Sequence, residues 1–354
     1  MERVLLLSDG TIFRGKAFGS EKETYGELCF TTAITGYQEL LTDPSLMGQM
    51  VVMTFPMIGN YGINRYDYEA LRPCVSALIV REWCEAPNNF RTEKNLDEYL
   101  KKYDIPGLYG IDTRRLTRHI RQHGAMKACL LNDSTDLTEA LNRLNSETIA
   151  ANQIEQASTK APYEVPGQGK RVVLMDFGMK GSILKSLNTM GYNVTVVPYD
   201  YTEKQILELN PHGVLLSNGP GDPLAVPQAI ETISRLLGRV PIFGICMGCQ
   251  LLALASGAKR NKMKHGHRGN YPVKELATGR IYLTSQNHGY VIDEGSLSGT
   301  DLNITYRNVN DGSIEGINHR VHPAVGVQFH PESAPGPQDA AAMFQQFDRM
   351  MEGR

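Results

Sequence analysis

Hydrophobic residues in the second half of the chain form short runs, and each run is followed by a stretch with helical spacing. Such alternation of strand and helix is typical of a parallel sheet with helices on both faces. From residue 279 the pattern becomes strand-rich, with a turn at 310–312. The predicted strands cover residues 171–177, 194–198, 213–217 and 241–246, and the predicted helices cover 181–190, a stretch ending at 209, 227–237, 248–255 and 338–351.

The first half has the shorter periodicity of strands, with few helical stretches. Ser8-Asp9-Gly10-Thr11 separates two apolar runs and predicts a hairpin. Asp112 or Thr113 can cap a helix that continues through Gln122, and Gly124 can end it. The predicted strands cover residues 4–7, 12–18, 27–33, 50–55, 74–80 and 125–131, and a second short helix covers 137–144.

Residues 151–170 differ from both halves, because they are polar, rich in Pro and Gly, and without apolar periodicity. This segment is predicted to be a linker between domains at 1–150 and 171–354. The predicted fold class is α/β. A strand-rich α/β domain comes first, and a doubly wound, mostly parallel sheet follows it.

Composition excludes several classes of protein. Lys plus Arg is 36 and Asp plus Glu is 38, which argues against a nucleic-acid binder. The apolar runs are too short to span a bilayer, and the N-terminal run is too short for a signal peptide. Six cysteines in 354 residues do not make a disulfide framework. We therefore expect a cytoplasmic protein of about two domains with free thiols.

The sharpest chemical signal is Cys246, which stands where an apolar strand ends and an apolar helix begins. Gly244 and Gly248 flank it and relieve the crowding of such a turn. A helix N-terminus favours negative charge and therefore a thiolate. The pattern suggests a nucleophile, and a buried core cysteine at a strand end is the equal alternative.

A second signal is His330-Pro331-Glu332, directly after a short apolar strand. A thiol nucleophile needs a base, and the base needs a carboxylate to hold its tautomer. One rigid loop can supply both groups. Taken alone, this motif also fits a loop histidine beside a solvated glutamate, which is the more frequent case.

The loop 217–223, Ser-Asn-Gly-Pro-Gly-Asp-Pro, follows a buried strand. Its backbone N–H groups, like that of Met247, can point at a developing oxyanion. An ordinary turn is the alternative, and a phosphate loop is conceivable. The chain has no G-x-x-x-x-G-K-[ST] sequence.

Cys246 and Cys249 also form a C-x-x-C pair. A zinc site would need a second pair at matching spacing, and the remaining cysteines do not form one. A thioredoxin-like redox motif is harder to exclude, because it too lies where a strand meets a helix. That alternative leaves the His-Pro-Glu motif and the glycine loop unexplained.

Together these motifs resemble the class I, or triad, glutamine amidotransferases. That family carries its nucleophile in Gly-x-Cys-x-Gly-x-Gln, as in residues 244–250, and completes the triad with a later His-Pro-Glu. The first half narrows the resemblance to the carbamoyl-phosphate synthase small-chain family, and the chain is similar to that family over nearly its whole length. The similar segments are 31–45 (TTAITGYQELLTDPS), 55–62 (FPMIGNYG), 110–114 (GIDTR), 286–290 (QNHGY) and 335–341 (PGPQDAA).

The resemblance implies hydrolysis of L-glutamine by a triad of Cys246, His330 and Glu332, with no metal ligands. It also implies that Ser45 reaches the site from the first domain, near the domain interface. The implied glutamine-binding residues are Ser45, Gly219, Gly221, Met247, Gln250, Asn287, Gly289 and Tyr290.

The resemblance further implies a large synthetase subunit that forms a heterodimer, or an assembly of heterodimers, with this chain. That partner would hold ATP and magnesium and make carbamoyl phosphate from bicarbonate, while this chain would need no cofactor. The alternatives are the amidotransferase of another synthase, such as an anthranilate type, and a non-catalytic regulatory subunit. Two features depart from the family pattern: Cys249 replaces a frequent histidine, and the stretch 266–272 is one glycine shorter.

Overall fold

The computed structural model describes residues 1–147 and 151–353. Its Cα positions cluster into two compact units, Met1–Ala150 and Ala151–Arg354. Each unit has its own sheet and its own apolar core.

The first unit is built on a closed barrel. The strands of this unit are β1 (Glu2–Leu7), β2 (Ile12–Gly19), β3 (Thr24–Thr31), β4 (Gln49–Met53), β5 (Met57–Ile58), β6 (Ala77–Ile79), β7 (Glu82–Trp83), β8 (Pro106–Tyr109) and β9 (Met126–Asn132), and β5 and β7 form a separate two-stranded sheet. Its helices are α1 (Tyr37–Leu41), α2 (Leu96–Lys102), α3 (Thr113–His123) and α4 (Leu137–Ser146). The barrel order is β1-β2-β8-β6-β4-β3-β9, closed by pairing of β9 with β1.

Alternation along β1 explains how this barrel is filled. Leu5 and Leu7 pack into one apolar cluster with Leu130 of β9. Leu6 points the other way, into a cluster that includes Leu144 of α4. Successive side chains of a strand face opposite sides, so one apolar run serves both the barrel interior and the layer outside it.

The caps of two helices show what the sequence could predict. Asp112 Oδ1 accepts a hydrogen bond from the Arg115 amide at 2.8 Å and starts α3, as predicted. Helix α2 was not predicted, although Asn95 and Glu98 form a capping box at its start. An N-x-x-E pattern before a short apolar run was the available signal.

The second unit contains one extended sheet with helices on both faces. Its strands are β10 (Tyr163–Val165), β11 (Arg171–Asp176), β12 (Asn193–Pro198), β13 (Gly213–Leu216), β14 (Ile242–Ile245), β15 (Arg260–Glu275), β16 (Ile281–Ile292), β17 (Leu302–Asn308), β18 (Ile314–His319) and β19 (Ala324–Val327), and its helices are α5 (Gln153–Ala157), α6 (Gly181–Thr189), α7 (Glu203–Glu208), α8 (Pro227–Leu236), α9 (Met247–Ala255) and α10 (Ala342–Glu352).

The strand order is β10-β12-β11-β13-β14-β19-β18-β17-β15-β16. The pairs from β12 to β19 are parallel, and antiparallel strands extend the sheet on both sides. Val173 and Met175 of β11 enter one core cluster, while Val172 and Leu174 enter another. A run apolar at every position therefore fills both faces, which is typical of a buried parallel strand.

Residues 151–170, predicted to link the two domains, contain regular secondary structure. This segment contains α5 and β10, and β10 pairs antiparallel with β12 at one edge of the second sheet. Ile154 is buried in the core. The low apolar content of the segment reflects an edge strand exposed on one side, which apolar periodicity does not reveal.

Strands β15 and β16 form a long hairpin, and β15 was not predicted because its sequence is mostly polar. The register shifts between Lys262 and His267. Gly266 has φ 70° there, a left-handed conformation that favours glycine. The shift sets the register of His267 opposite His288 of β16.

Candidate active site

Cys246 lies at the junction of β14 and α9, as the sequence predicted. Its backbone has φ 53° and ψ −104°, a strained conformation for a residue with a side chain. The Cys246 amide donates to the Val327 carbonyl at 2.8 Å, and this bond holds the turn against β19. The side chain is 2% exposed. The fold thus keeps one thiol in a fixed, strained position at the carboxyl end of a parallel strand.

The two glycines that flank Cys246 are required by close backbone contacts. A Cβ on Gly248 would lie 2.2 Å from the Leu216 carbonyl oxygen, and one on Gly244 would lie 2.5 Å from the Gly248 carbonyl oxygen. Such contacts are far inside the van der Waals limit. The pattern Gly-x-Cys-x-Gly is therefore what this sharp turn demands, as in other strand-to-helix nucleophile turns.

His330 and Glu332 form a buried chain with a lysine that the sequence analysis did not identify. His330 Nδ1 lies 2.6 Å from Glu332 Oε1, and the same oxygen accepts from Lys180 Nζ at 2.9 Å. The side chains are 2%, 0% and 3% exposed in the order His330, Glu332, Lys180. A pattern search would miss Lys180, because it lies about 150 residues away at the start of α6.

The buried charges move the pKa values of His330 and Glu332 in opposite directions. Burial raises the pKa of Glu332, but Lys180 and His330 outweigh it and lower that pKa to about 2. Burial lowers the pKa of His330, but Glu332 and an interaction with Cys246 outweigh it, and the pKa lies well above its usual range. A protonated imidazole beside an ionised carboxylate is therefore the favoured state.

The remaining ring nitrogen of His330 is left open. Nε2 is buried and has no hydrogen bond of normal geometry among the described residues. Since Nδ1 faces a carboxylate, it carries hydrogen, and Nε2 is the atom that can exchange a proton. The arrangement has the order of a nucleophile, base and orienting acid.

The Cys246 thiol also contacts two groups of neighbouring strands. Gln328 Nε2 donates to Sγ at 3.6 Å, and Sγ lies 3.8 Å from the Asn287 carbonyl oxygen. Gln250 Nε2 donates to Gln328 Oε1 at 2.8 Å and to the Tyr290 carbonyl at 2.9 Å. Gln328, fully buried, was not identified from the sequence, where it reads as one residue of an apolar strand end.

The loop after β13 is fixed beside the turn. The Gly248 amide donates to the Ser217 carbonyl at 3.0 Å, and Asn218 Oδ1 accepts from the Lys180 amide at 3.0 Å. A Cβ on Gly219 would lie 2.4 Å from the Phe177 carbonyl oxygen, and Gly221 has φ 82°. The loop therefore connects β13, the start of α6 and the Cys246 turn.

Comparison with known proteins agrees with both units. Residues 5–130 match the model described as carbamoyl-phosphate synthase small chain, CPSase domain, and residues 173–350 match glutamine amidotransferase class-I. The carbamoyl phosphate synthase pyrimidine-specific small chain of Bacillus subtilis (strain 168) is 54% identical over 353 residues, which is 99% of this chain and 96% of the relative. This chain belongs to the carbamoyl-phosphate synthase small-chain family.

Two further relatives agree with this membership. The protein of Halalkalibacterium halodurans, also named pyrimidine-specific small chain, is 53% identical over 99% of this chain and 98% of its own length. The carbamoyl phosphate synthase small chain of Bacillus caldolyticus is 54% identical over 98% of this chain and 96% of its own length. The second unit is accordingly the glutamine amidotransferase domain of a small chain, and the α/β fold class is confirmed.

Within this small-chain fold, the structure brings most of the predicted site residues into one unit. Asn287, Gly289 and Tyr290 lie on β16, and Met247 and Gln250 lie on the first turns of α9. Ser45 lies in the first unit, in a 3₁₀ turn where its amide donates to Asp43 Oδ1 at 2.9 Å. Its place in a glutamine pocket stays a prediction, as do the roles of the other residues.

Cys249 does not have the features of a redox-active thiol. It is fully buried, and burial raises its pKa well above the usual range. Cys246 and Cys249 are both free thiols. Redox-active dithiols instead have a lowered pKa and partial exposure. None of the helices in the described part of the chain is both long and apolar enough to cross a membrane.

Proposed function

We propose that this chain hydrolyses L-glutamine to glutamate and ammonia through Cys246, His330 and Glu332, as the glutamine-hydrolysing subunit of a carbamoyl-phosphate synthase. The observation that carries the proposal is the strained Cys246 turn beside a His330 whose Nδ1 is held by Glu332 while Nε2 stays open. Membership in the small-chain family supports the reaction, and the geometry supports the assignment of roles.

The first half-reaction uses Cys246 as a thiolate whose proton resides on His330 Nε2. The sulfur attacks the side-chain amide carbon of glutamine, and the C–S bond forms while the carbonyl electrons move to oxygen. As the intermediate collapses, the C–N bond breaks and His330 Nε2 gives its proton to the departing nitrogen. The products are ammonia and a glutamyl thioester on Cys246.

The second half-reaction uses water. His330 Nε2, now neutral, takes a proton from the water as its oxygen attacks the thioester carbon. The C–S bond then breaks and releases the γ-carboxylic acid, which loses its proton to solvent to become glutamate, and the thiolate–imidazolium pair is restored. Glu332 stays ionised throughout, because Lys180 shares its Oε1 atom.

The oxyanion needs donors in a fixed position. The amides of Gly219 and Met247 are the candidates, since Met247 opens α9, where backbone N–H groups have no partner within the helix. The remaining residues proposed to bind glutamine are Ser45, Gly221, Gln250, Asn287, Gly289 and Tyr290.

The acceptor chemistry is proposed to lie on a large partner subunit that uses bicarbonate, ATP and magnesium. At neutral pH free ammonia is mostly protonated and not nucleophilic, so direct transfer to the partner is the useful route. The isolated chain should therefore be a slow glutaminase that accelerates when the partner binds ATP and bicarbonate. Two relatives are named pyrimidine-specific, which makes pyrimidine synthesis the first pathway to test.

The deciding experiment replaces the nucleophile in the complex of this chain with the large subunit. Cys246→Ser should abolish glutamine-dependent carbamoyl phosphate synthesis and leave ammonia-dependent synthesis intact, since the partner is unchanged. Cys249→Ser is the matched control and should keep both activities. Wild-type glutamine hydrolysis by Cys246→Ser would refute the mechanism, and loss in Cys249→Ser equal to that in Cys246→Ser would revive the dithiol alternative.

The coupling to the partner is tested separately. Glutamine turnover is measured for the chain alone, for the complex, and for the complex with ATP and bicarbonate. Equal rates in all three would overturn the coupling. Failure to co-elute with a large synthetase chain would overturn the proposed assembly.

A further inference from the structure

A second group of buried polar side chains lies on β15, β16 and β18, and the proposed mechanism does not use it. Its members are His267, Gln286, His288 and Glu315, here called the His267 cluster. Their exposed fractions are 2%, 2%, 6% and 0% in that order. Burying such groups is costly unless every donor meets an acceptor, so their hydrogen positions can be worked out.

The orientation of Gln286 follows from Thr284. The Thr284 hydroxyl donates its one hydrogen to the Tyr271 carbonyl at 2.9 Å. It must therefore accept from the Gln286 group that lies 3.1 Å away, which is the NH₂ group. Gln286 Oε1 consequently faces the two histidines, 2.8 Å from His267 Nδ1 and 3.0 Å from His288 Nε2.

His288 then presents a lone pair to another acceptor. Its Nδ1 lies 2.9 Å from the Tyr290 carbonyl oxygen and so carries hydrogen. In the neutral ring, Nε2 is an acceptor that faces the acceptor Gln286 Oε1 at 3.0 Å.

Glu315, the carboxylate of the cluster, also has an oxygen whose hydrogen bonding is incomplete. Glu315 Oε1 lies 3.3 Å from His267 Nδ1 and accepts from Asn308 Nδ2 at 3.0 Å. Glu315 Oε2 is buried and has no hydrogen-bond partner among the described residues. The acceptor atoms of Gln286, His288 and Glu315 thus lie close together around His267 Nδ1, and Glu315 Oε2 has no donor in the described part of the chain.

We propose that the His267 cluster binds a divalent transition-metal ion, with zinc the best fit, through His267 Nδ1, His288 Nε2, the Glu315 carboxylate and Gln286 Oε1. Ligand atoms of the two histidines and Glu315 lie within 4.8 Å of one another. Tetrahedral zinc, with ligands at about 2.0–2.2 Å, separates them by about 3.3–3.6 Å. The separations present, 2.8–3.3 Å for the three close pairs, need only small adjustment.

The surroundings of the cluster are those of a metal site. His267 Nε2 lies 2.8 Å from Asp311 Oδ2, and the other ring nitrogen of His288 meets a backbone carbonyl. Metal-bound histidines commonly direct their second nitrogen to such acceptors, which fixes the tautomer. With all four positions supplied by protein, the ion would be structural rather than catalytic.

The location predicts what the ion would do. It would join β15, β16 and β18 at the level of the β16 segment that carries Asn287, Gly289 and Tyr290. Removing the ion should lower the melting temperature, because a ligand bound only by the folded state stabilises that state. It should also raise KM for glutamine more than it changes kcat.

The test begins with metal content, which needs neither glutamine nor the partner. The full chain, expressed with added zinc and dialysed, should contain about one zinc per chain by mass spectrometry. Cobalt added to chelated protein should give the visible absorption of a tetrahedral site. Glu315→Gln keeps the side-chain shape and should lose most of the metal. Asp311→Asn, at a half-exposed position, should weaken zinc affinity roughly 10–100-fold.

His265→Gln is the matched control, because it removes a histidine of the same strand from outside the cluster. It should keep full metal content. The proposal would be overturned if the wild-type chain contained no zinc, gave no cobalt spectrum and had a melting temperature independent of zinc. The His267 cluster would then be a network of hydrogen bonds without a metal. If the metal content stayed unchanged in both Glu315→Gln and Asp311→Asn, the metal would be bound elsewhere in the chain, and the proposal would also be overturned.

Discussion

His330 and His267 both lie buried beside a glutamate in the second unit, but their surroundings place protons differently. His330 has Nδ1 on Glu332, while Nε2 has no hydrogen-bond partner among residues 1–147 and 151–353, and Lys180 supplies a fixed positive charge to that glutamate. His267 has carboxylates at both nitrogens, Glu315 at 3.3 Å and Asp311 at 2.8 Å. A buried His–Glu pair can therefore serve proton transfer only where one nitrogen remains free beside a reacting group.

The difference also concerns charge balance. Lys180 lets Glu332 stay ionised without consuming the proton of His330, which is then available for chemistry. Glu315 contacts Asn308 and His267 instead, and no lysine among the described residues pairs with it. One pair is thus suited to moving a proton, and the other to holding a cation.

The largest expected effect comes from His330. His330→Asn removes the group that moves protons, and glutamine hydrolysis should fall by at least about 10²–10⁴-fold. Glu332→Gln keeps the shape, removes the charge that orients His330, and should lose less. Steady-state rates of both variants in the complex measure this order. A Glu332→Gln variant slower than His330→Asn would reverse the assigned roles.

The next effect comes from Lys180. Lys180→Met leaves a buried, uncompensated carboxylate, and breaking such a pair typically costs about 3–5 kcal/mol of unfolding free energy. The pKa of Glu332 should rise, and the pH profile of kcat should move with it. Urea unfolding and the pH profile measure the two effects.

Lys185→Met is the control for Lys180, because Lys185 is an exposed lysine of the same helix. It should leave both the unfolding free energy and the pH profile near wild type. Equal effects of the two substitutions would show that the loss of a lysine near helix α6, rather than the loss of the Lys180–Glu332 pair, changes the unfolding free energy and the pH profile.

A third effect concerns acid stability. The folded-state pKa of Glu332 is lowered to about 2 from an ordinary value of 4.5. Its contribution to stability is therefore present above about pH 4.5 and is lost as the pH falls toward 2. The unfolding free-energy difference between wild type and Glu332→Gln should be largest near neutral pH and shrink through this window. A difference that stayed constant from pH 6 to pH 3 would contradict the coupling of Glu332 to Lys180.

The smallest expected effect comes from Cys249. Cys249→Ser should retain most glutaminase activity, because this thiol lies outside the proposed triad and its raised pKa keeps it protonated. Mass spectrometry of the untreated chain should find no disulfide between Cys246 and Cys249. A disulfide formed by all of the freshly purified protein would contradict the structure, in which both thiols are free.

Features that depend on local patterns of residues could be predicted before the fold was known. Apolar runs and caps predicted the parallel strands of the second unit and helix α3. The spacing of glycines around Cys246 predicted the turn, because close backbone contact allows only glycine at these positions. The pairing of His330 with Glu332 was also predictable, since a two-residue separation in one loop needs no knowledge of the fold.

Contacts between residues distant in sequence could be identified only from the folded chain. Lys180 meets Glu332 because α6 starts beside the loop after β19, and the chain gives no local sign of it. Gln328 and the His267 cluster come together through strand register, including the shift at Gly266 that sets His267 opposite His288. The edge strand β10 was misread as linker because pairing, rather than apolar content, makes it a strand. Patterns of neighbouring residues reflect the local backbone conformation. Which distant charged residues come into contact depends instead on how strands and helices pack across the sheet.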